Sequence, residues 1–358
     1  MIDLREYGLT PTMAAQNDTG EPARVTAVLR ERYELITANG AAFGRLKGGA
    51  YYDIDPETYP TVGDFVTLRE NDPAMDGDRI IIRTLPRFSL FVRRAGNDRA
   101  RSQYQKAVHE QAIAANFDIC FIVTSMNRDL NMARLERYLS QAWQSGAIPV
   151  VALTKADLAD DFTLTVETVK AAVPGVEVIA VSVVTGLGMD AVRAIMKPST
   201  TAVLLGSSGA GKSSLVNALS CGDVMRVNAI REDDAHGRHT TTHRQMIRLP
   251  WGAMIIDTPG MRELGMWDAG EGIDMTFPDV EEMLARGCRF SDCSHEREPG
   301  CAIRAAIQSG ELTEERWRSY INLQKETKFA QDKAAYLRAK TKRFKEISKA
   351  NTRRDWNA

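Results

Sequence analysis

One octapeptide restricts the possible folds of this chain more than any other segment. It matches G-x-x-x-x-G-K-[ST] at every defined position, with a β-rich run, Thr201–Leu205, before it and an apolar-periodic segment, Lys212–Leu219, after it. Glycines in such a segment let backbone amides turn around a phosphate at the start of a helix. The sequence therefore predicts a phosphate-binding loop between a strand and a helix. Its contacts are assigned to Gly206, Ser207, Ser208, Gly209, Ala210, Gly211, Lys212, Ser213 and Ser214.

Candidate ligands for a divalent cation lie in this loop and downstream of it. We expect Lys212 to reach the β- and γ-phosphates of a nucleotide and the Ser213 hydroxyl to bind Mg²⁺. Asp257 ends an apolar strand and suits the Mg²⁺ shell, while Gly260 of the same D-T-P-G turn suits the γ-phosphate. A threonine-rich loop between them offers one more hydroxyl. Spacing does not show which of its three threonines binds Mg²⁺, and we assign Thr241. Alternatively, the threonines bind no ion and only lead into the next strand.

Two short segments upstream of the octapeptide indicate which base is bound. The first is T-K-A-D, in which Thr154 and Lys155 precede Asp157 at the end of a strand. A carboxylate at that place can accept hydrogen bonds from the N1–H and the exocyclic amine of guanine, a donor pair that adenine lacks. The stem of Lys155 can lie along the ring. The second segment, S-V-V-T-G from Ser182, is typical of the loop whose backbone contacts guanine O6. Together they predict a guanine nucleotide.

Around these motifs, strand and helix patterns alternate as in a mostly parallel α/β sheet. The predicted strands are Phe117–Thr124, Ile148–Leu153, Glu177–Val181, Thr201–Leu205, Gln245–Leu249 and Ala253–Ile256. The predicted helices are Leu130–Gln144, Phe162–Ala172, Asp190–Met196 and Lys212–Leu219.

The segment before this sheet has a different texture. Short β-rich runs alternate there with turn residues, at Ala23–Leu29, Tyr33–Thr37, Ala42–Leu46, Phe65–Leu68 and Arg79–Thr84. Five strands in so short a segment favour a small closed barrel such as an OB-fold, with another small β-domain as the alternative. Residues 1–22 show no periodicity and predict a flexible tail.

A cluster of potential metal ligands follows the sheet, consisting of Cys288, Cys293, His295 and Cys301. Three thiolates and one imidazole in a short loop are the inventory of a closed tetrahedral Zn²⁺ site. Because no coordination position is left open, we predict one structural zinc ion, which holds a short helical domain without a core of its own. Buried free thiols are the alternative. Cys120 and Cys221 are expected to be free thiols in a reducing compartment.

The order of the motifs is unusual. Ordinary GTPases run from the phosphate loop through D-x-x-G to N-K-x-D, whereas here T-K-A-D and S-V-V-T-G come first, and G-R-H-T-T-T and D-T-P-G follow the phosphate loop. This order indicates a circular permutation of the same sheet. With a β-barrel before it and a Cys/His cluster after it, the chain resembles the RsgA (YjeQ-type) family of GTPases over roughly residues 23–325. The resemblance implies a GTP hydrolase with a zinc site that acts in late maturation of the small ribosomal subunit and is stimulated by that subunit.

The expected architecture is therefore multidomain. We predict an OB-fold-like β-barrel at 23–95, a circularly permuted α/β P-loop GTPase domain at 96–275, and an α-helical zinc-binding domain with a basic tail at 276–358. The protein is expected to be a cytoplasmic monomer without membrane contact, since no run reaches the length of a membrane helix.

Three positions depart from the common GTPase pattern. Thr154 stands where the pattern has asparagine, so we expect a weaker hydrogen bond bracing the loop. Val183 replaces the more common alanine after Ser182. Met261 stands where Ras-like enzymes place a water-orienting glutamine, and a thioether cannot orient water. Hydrolysis then needs another group to orient the water, and we assign this role to His239. Lys212 and Asp257 are the other residues assigned to catalysis. Alternatively, His239 only braces its loop or touches a partner.

Charge is distributed unevenly along the chain. The overall net charge is −1, but residues 316–358 carry +9 and residues 1–315 carry −10. The basic segment interleaves Lys and Arg with aromatic residues such as Trp317 and Tyr320, which could pack on the body or stack on bases. Together with arginines around the Cys/His cluster, it predicts contact with 16S rRNA, besides possible contacts with ribosomal proteins.

Two other functions are compatible with the sequence. One is an RNA-binding assembly module that holds a guanine nucleotide without turnover, which Met261 favours. The other is an ATP-dependent small-molecule kinase, which T-K-A-D and S-V-V-T-G disfavour. Phosphate release in the presence of small subunits separates the first from a GTPase, and competition between GTP and ATP tests the second.

Overall fold

A computed structural model describes residues 1–17, 20–29, 32–46, 59–69, 77–94, 110–126, 130–222, 244–257 and 270–329. The chain divides into two compact units. The first comprises Met1–Val92 and Ala112–Leu264, and the second Arg93–Gln111 and Gly265–Ala358. The domain boundaries drawn from the sequence stay a prediction.

The N-terminal segment is folded in its described part, in contrast to the flexible tail that the sequence predicts. It contains a 3-10 helix, Leu4–Tyr7, and helix α1, Pro11–Ala15. The Thr10 side chain caps α1 by accepting a hydrogen bond from the Met13 N–H. Leu4 and Met13 are both buried. Isolated apolar residues carry no periodic signal, so their burial depends on tertiary contacts that the sequence pattern does not show.

Five strands form the predicted barrel. They are β1 (Glu21–Val28), β2 (Tyr33–Thr37), β3 (Gly40–Leu46), β4 (Phe65–Leu68) and β5 (Asp78–Thr84). Their order is β1-β2-β3-β5-β4, and β4 pairs with β1 to close the barrel. Only the β3–β5 pair is parallel. Buried residues including Val25, Leu35 and Ile81 fill the interior. The OB-like barrel is confirmed.

The α/β sheet follows. A two-stranded sheet of β6 (Leu90–Arg94) and β7 (Glu110–Ala115), which the sequence did not predict, precedes it in the chain. The strands of the α/β sheet are β8 (Ile119–Ser125), β9 (Ile148–Thr154), β10 (Glu177–Val181), β11 (Thr201–Leu205), β12 (Arg244–Arg248) and β13 (Met254–Asp257). Its helices are α2 (Met132–Gln144), α3 (Phe162–Ala172), α4 (Met189–Ile195) and α5 (Lys212–Ser220).

The sheet order confirms the permutation. Strands run β10-β9-β8-β11-β13-β12, with every pair parallel except β12–β13. The strand before the phosphate loop, β11, is thus central, although strands β8, β9 and β10 precede it in the chain. Helices cover both faces of the sheet: Leu139 of α2 packs in one buried cluster with Val151 of β9, and Val192 of α4 and Leu215 of α5 belong to the other.

Barrel and α/β sheet share hydrogen bonds. Residues Ala27 and Val28 of β1 pair with Gln245 and Arg244 of β12, so eleven strands form one continuous sheet. A register shift between Val25 and Ala27 marks the point where β1 bends.

The second unit is helical over residues 270–329. Helices α6 (Gly270–Thr276), α7 (Pro278–Ala285) and α8 (Ala302–Ser309) are followed by α9 at residues 314–329. Phe277, Val280, Ile303, Tyr320 and Leu323 are buried together. This domain therefore has an apolar core of its own, and the expectation that it lacks one is wrong. No helix in the described ranges of the chain is long and apolar enough to cross a membrane.

Candidate nucleotide and metal sites

The phosphate loop connects β11 to α5 and depends on glycine at three places. Gly206, Gly209 and Gly211 have φ angles of 146°, 77° and 97°. A Cβ atom on Gly206 would lie 2.1 Å from the carbonyl oxygen of Val123, so only glycine fits there. Gly211 is the N-cap of α5 and has no side chain to accept hydrogen bonds from the first turn. The first amides of α5 can therefore face an anion.

Lys212 and Asp257 lie at the same edge of the sheet. The Lys212 ammonium group donates to the carbonyl oxygens of Gly206 at 2.6 Å and Ser207 at 2.5 Å, which folds the side chain over the loop. Asp257 ends β13, which pairs in parallel with β11. Burial raises the pKa of Asp257 to about 6, and the positive charge of Lys212 opposes this shift. A Mg²⁺ ion would stabilise the carboxylate form.

The two base-recognition segments lie beside each other. Strands β9 and β10 are parallel, with Thr154 opposite Val181, so the segments after them leave the same edge of the sheet. The Ser182 hydroxyl donates to Asp157 Oδ1 at 2.5 Å, and the Thr185 N–H donates to the Ser182 hydroxyl at 3.2 Å. Ser182 thus holds one carboxylate oxygen in a defined direction, which suits recognition of a planar base.

Thr154 joins the base-recognition strand to the phosphate loop. Its hydroxyl donates to the carbonyl oxygen of Ala210 at 2.5 Å, and its side chain is buried. The threonine hydroxyl therefore braces the loop, and the expectation that this hydrogen bond is weaker than an asparagine's stays a prediction. The sequence predicts a bracing hydrogen bond at this position but not its acceptor, the Ala210 carbonyl, because that depends on tertiary distance.

Several predicted residues lie outside the described ranges. They are His239, Thr241, Gly260 and Met261. Their assignments stay predictions. The described residues bring together the phosphate loop, Asp257, Asp157 and Ser182 on one side of the sheet.

The four predicted metal ligands converge in the second unit. The Sγ atoms of Cys288, Cys293 and Cys301 and a ring nitrogen of His295 lie within 4.8 Å of one another. The Cys288 and Cys301 sulfurs are 4.0 Å apart, and each lies 3.4–3.5 Å from His295 Nδ1. Tetrahedral zinc with Zn–S bonds near 2.3 Å gives sulfur separations of about 3.8 Å. The donor set and its spacing therefore fit a tetrahedral metal ion.

A backbone donor favours the thiolate form of Cys288, whereas desolvation raises the pKa of the Cys293 thiol to about 11. The Ala302 N–H lies 3.3 Å from Cys288 Sγ, and this contact is the main cause of a pKa of the Cys288 thiol below its ordinary value. Cys301 caps α8 through a contact of 3.5 Å with the Arg304 N–H. His295 has a φ of 62°, and its ring packs edge-on against Trp317 at 5.5 Å.

The structure assigns internal roles to the described part of the basic segment. Trp317 stacks on Tyr320 at 5.5 Å, and the Tyr320 hydroxyl donates to Glu281 at 2.7 Å. Arg316 is paired with Asp279 at 2.9 Å and lies over the Phe277 ring. These side chains pack on the body of the domain, which was one of the two alternatives for the aromatic residues. The remainder of the basic segment, residues 330–358, lies outside the described ranges.

The fold and the site define a class of protein, the circularly permuted P-loop GTPases. The RsgA GTPase family model matches residues 85–267 of this chain. A relative from Listeria monocytogenes named Small ribosomal subunit biogenesis GTPase RsgA 1 is 43% identical over 351 residues, covering 97% of this chain and 96% of its own. A Streptomyces coelicolor relative named Small ribosomal subunit biogenesis GTPase RsgA is 44% identical over 85% of this chain and 80% of its own. The chain belongs to the RsgA GTPase family and is a GTP hydrolase.

Solved structures share the fold. YjeQ from Thermotoga maritima superposes with a TM-score of 0.61 at 23% identity and covers 85% of this chain and 96% of its own. YloQ, a circularly permuted GTPase, gives a TM-score of 0.60 at 21% identity, with 88% of this chain and 97% of its own covered.

Proposed function

We propose that this GTPase binds the small ribosomal subunit in the cytoplasm, acts late in its maturation, and leaves it after GTP hydrolysis. The observation that carries the proposal is the near full-length similarity to relatives named for small-subunit biogenesis. The described geometry is compatible with it, because one chain combines a guanine-type nucleotide site with a compact Cys₃His domain. The subunit stimulates the reaction in this proposal.

The nucleotide is GTP·Mg²⁺. Asp157, oriented by Ser182, accepts the two guanine donors, and the loop at residues 206–213 surrounds the phosphates. Ser213, Asp257 and a switch threonine, Thr241, bind Mg²⁺, while Gly260 contacts the γ-phosphate. Lys212 leaves the loop carbonyls to reach the β- and γ-phosphates. His239 orients the attacking water.

The metal in the Cys₃His cluster is one structural Zn²⁺ ion. Cys288, Cys293, His295 and Cys301 hold it, and bound zinc would supply four fixed bonds across the loop at residues 288–301. Arg297 and Arg304, together with Glu296 and Glu298, line an open cavity of about 440 Å³ beside the cluster. This face, together with the basic segment beyond residue 329, contacts 16S rRNA or ribosomal protein.

Release from the subunit follows from the order of elements along the chain. The D-T-P-G switch begins at Asp257, and the second unit follows it without another nucleotide motif. Loss of the γ-phosphate then alters how the second unit is held. If Gly260→Ala locks the switch without changing the dissociation of the GDP-bound protein from subunits, this release step is excluded.

Phosphate release tests the proposal. We would measure it from GTP, with ATP as a control, with and without purified small subunits and at low and high salt. The expected result is GTP-specific stimulation by subunits that weakens at high salt, because phosphate contacts release counterions. His239→Ala should reduce the stimulated rate, and Asp160→Asn, an exposed carboxylate near the guanine site, should not.

The second candidate is an RNA-binding assembly module with a guanine nucleotide that does not turn over. Met261 in place of a water-orienting glutamine favours it. Salt-sensitive binding to subunits without any increase in phosphate release would establish this function and remove the catalytic assignments of His239 and Lys212.

A further inference from the structure

An arginine of α2 lies beside the phosphate loop. Arg134 and Ser207, the second residue of that loop, line one small cavity between β8 and α2. The volume of the cavity is about 10 Å³, which is room for a single water molecule. A cavity of this size brings the side chains around it close together. Arg134, which is half-buried, therefore lies near the loop that surrounds the phosphates of a bound nucleotide.

The order of the strands puts Arg134 on one side of the phosphate loop and Asp257 on the other. The loop follows β11, α2 follows β8, and Asp257 ends β13. Because β11 pairs in parallel with both β8 and β13, the carboxyl ends of all three strands lie at one edge of the sheet. A triphosphate in the loop then lies between Asp257, the proposed Mg²⁺ ligand, and the arginine of α2.

The lysine of the loop indicates which end of the triphosphate is nearest to Arg134. The Lys212 ammonium group donates to the carbonyl oxygens of Gly206 at 2.6 Å and Ser207 at 2.5 Å. In P-loop proteins this ammonium group binds the β- and γ-phosphates. Ser207 thus lies at the γ-phosphate end of the loop, and Arg134 shares a cavity with it.

The position of Arg134 within α2 is unfavourable for a cation. Asn131 is the N-cap, and its side chain accepts a hydrogen bond from the Arg134 N–H at 2.9 Å, so Arg134 is the third residue of the helix. The first turn of a helix carries partial positive charge, and its third position favours glutamate or glutamine. The first turn of α2, all of which is described, contains no acidic residue. A γ-phosphate beside Arg134 would offset this unfavourable placement.

We propose that Arg134 is a catalytic residue, whose guanidinium group binds the γ-phosphate of GTP and stabilises the transition state of hydrolysis. In this reaction water attacks the γ-phosphorus while the bond to the oxygen that bridges the β- and γ-phosphates breaks. The bridging oxygen leaves with GDP, and the oxygen and both protons of the water go to the inorganic phosphate. Negative charge grows on the bridging oxygen, and a fixed cation nearby lowers the barrier. The inference rests on the nucleotide site of the proposed function.

Rates and affinities measured together test this role. We would measure single-turnover hydrolysis of GTP by the full-length protein with Mg²⁺, and the affinities of GDP and of the non-hydrolysable analogue GppNHp by calorimetry. Arg134→Gln removes the charge and should slow hydrolysis about 100-fold, the usual effect of removing one preorganised donor. It should weaken GppNHp binding about tenfold, as for a lost hydrogen bond to a charged group, and change GDP affinity less than about twofold. Arg134→Lys, which keeps the charge without the planar fork, should recover part of the rate.

The control is Arg193→Gln, which removes a cation paired with Asp190 at 2.9 Å on the exposed side of α4. It should leave the rate and both affinities unchanged. The inference is overturned if Arg134→Gln hydrolyses GTP at the wild-type rate. It is also overturned if the rate and the GDP affinity fall by the same factor, because that result indicates a damaged loop. Should Arg134→Gln not fold, Arg134→Lys decides: a slower rate with unchanged GDP affinity supports the role, and the wild-type rate overturns it.

Failure of the proposed function would look different. The experiment contains no ribosomal subunit, so its result does not depend on stimulation by subunits. If the wild type binds neither GDP nor GppNHp, the nucleotide site itself is refuted. If the wild type binds both but does not hydrolyse GTP, the catalytic role of Arg134 is overturned and the assembly module without turnover is favoured. Wild-type hydrolysis that Arg134→Gln does not slow refutes only the role of Arg134.

Discussion

The protonation of Asp257 links the nucleotide site to pH. Burial raises its pKa to about 6, and the positive charge of Lys212 opposes the shift. The ionised carboxylate is thus unfavourable in the folded, nucleotide-free protein. The protonated carboxyl group is favoured by the folded state. The stability it contributes is fully present below the unfolded-state pKa near 4 and is lost as pH rises through about 6.

Asp257→Asn should remove that loss. We expect its free energy of unfolding without nucleotide to exceed that of the wild type by about 1–3 kcal/mol at pH 7.5. The difference should shrink at pH 5. Urea unfolding at several pH values measures it, and Asp190→Asn on the exposed side of α4 is the control. Parallel pH profiles of Asp257→Asn and wild type would contradict the assignment. Added Mg²⁺ and GDP should stabilise the wild type more than the variant.

Asp157 should determine the choice of base. Its carboxylate is held by Ser182 and is available to two guanine donors. Asp157→Asn replaces one acceptor by a donor, so GTP affinity should fall about 10- to 100-fold, the usual range for a hydrogen bond to a charged group. Xanthosine triphosphate, which carries a carbonyl in place of the amine, should bind the variant better than GTP does. Nucleotide competition measures both, and Asp160→Asn should behave as wild type. Unchanged GTP affinity would exclude Asp157 from base recognition.

Residues whose identity is determined by the local backbone conformation were predictable from the sequence. The loop glycines could be identified because their φ angles and close backbone contacts exclude other residues. Arg24 could not, since an arginine in an alternating strand pattern indicates a solvent-facing position. It is 1% exposed and bonded to groups far away in the chain. The Thr154–Ala210 contact likewise depends on tertiary distance.

At the scale of elements, the metal cluster should stabilise the helical unit. Cys301 both belongs to the cluster and caps α8, so Cys301→Ser should lower the bound metal from one equivalent to well below one half. Amide exchange in residues 302–309 should accelerate, while strands of the α/β sheet keep their protection. Metal analysis and hydrogen exchange measure both. Cys221→Ser, an exposed thiol outside the cluster, is the control. Full metal content with unchanged exchange would contradict this role.

Strands and helices with a clear periodicity were predicted closely. Helix Phe162–Ala172 and strands Glu177–Val181 and Thr201–Leu205 have the predicted bounds. The elements that were missed are short: α1 is five residues long, and β6 and β7 have five and six. Short segments carry too few repeats to show a period, and their structure comes from contacts with neighbours.

At the scale of the whole molecule, the motif order was sufficient to predict the permutation. Each nucleotide motif follows a particular strand of the GTPase sheet, so the order of the motifs along the chain determines the position of each strand in the sheet. The continuity of barrel and sheet was not predictable, because the pairing of Val28 with Arg244 joins strands more than two hundred residues apart. Edge strands that pair with distant partners show no local signal for the choice.

Arg24 lies where the barrel strand β1 meets the α/β sheet. It donates to the Asn116 carbonyl at 2.8 Å, the Thr201 hydroxyl at 2.9 Å and the Gly63 carbonyl at 3.3 Å. Burial lowers its pKa to about 10, and the charges of Asp118 and Asp64 oppose the shift. The guanidinium is therefore buried at a desolvation cost and depends on this set of acceptors.

Arg24→Met should destabilise barrel and sheet together. It leaves several buried acceptors without a donor, and we expect a loss of about 3–5 kcal/mol in the free energy of unfolding. Because β1 also pairs with β12, amide exchange should accelerate by similar factors in β2 of the barrel and in β13 of the sheet. Urea unfolding and hydrogen exchange measure these effects, with the exposed Arg193→Met as the control. Faster exchange confined to the barrel would show that Arg24 stabilises that domain alone. A decrease of less than about 1 kcal/mol in the free energy of unfolding would show that water reaches the acceptors of Arg24.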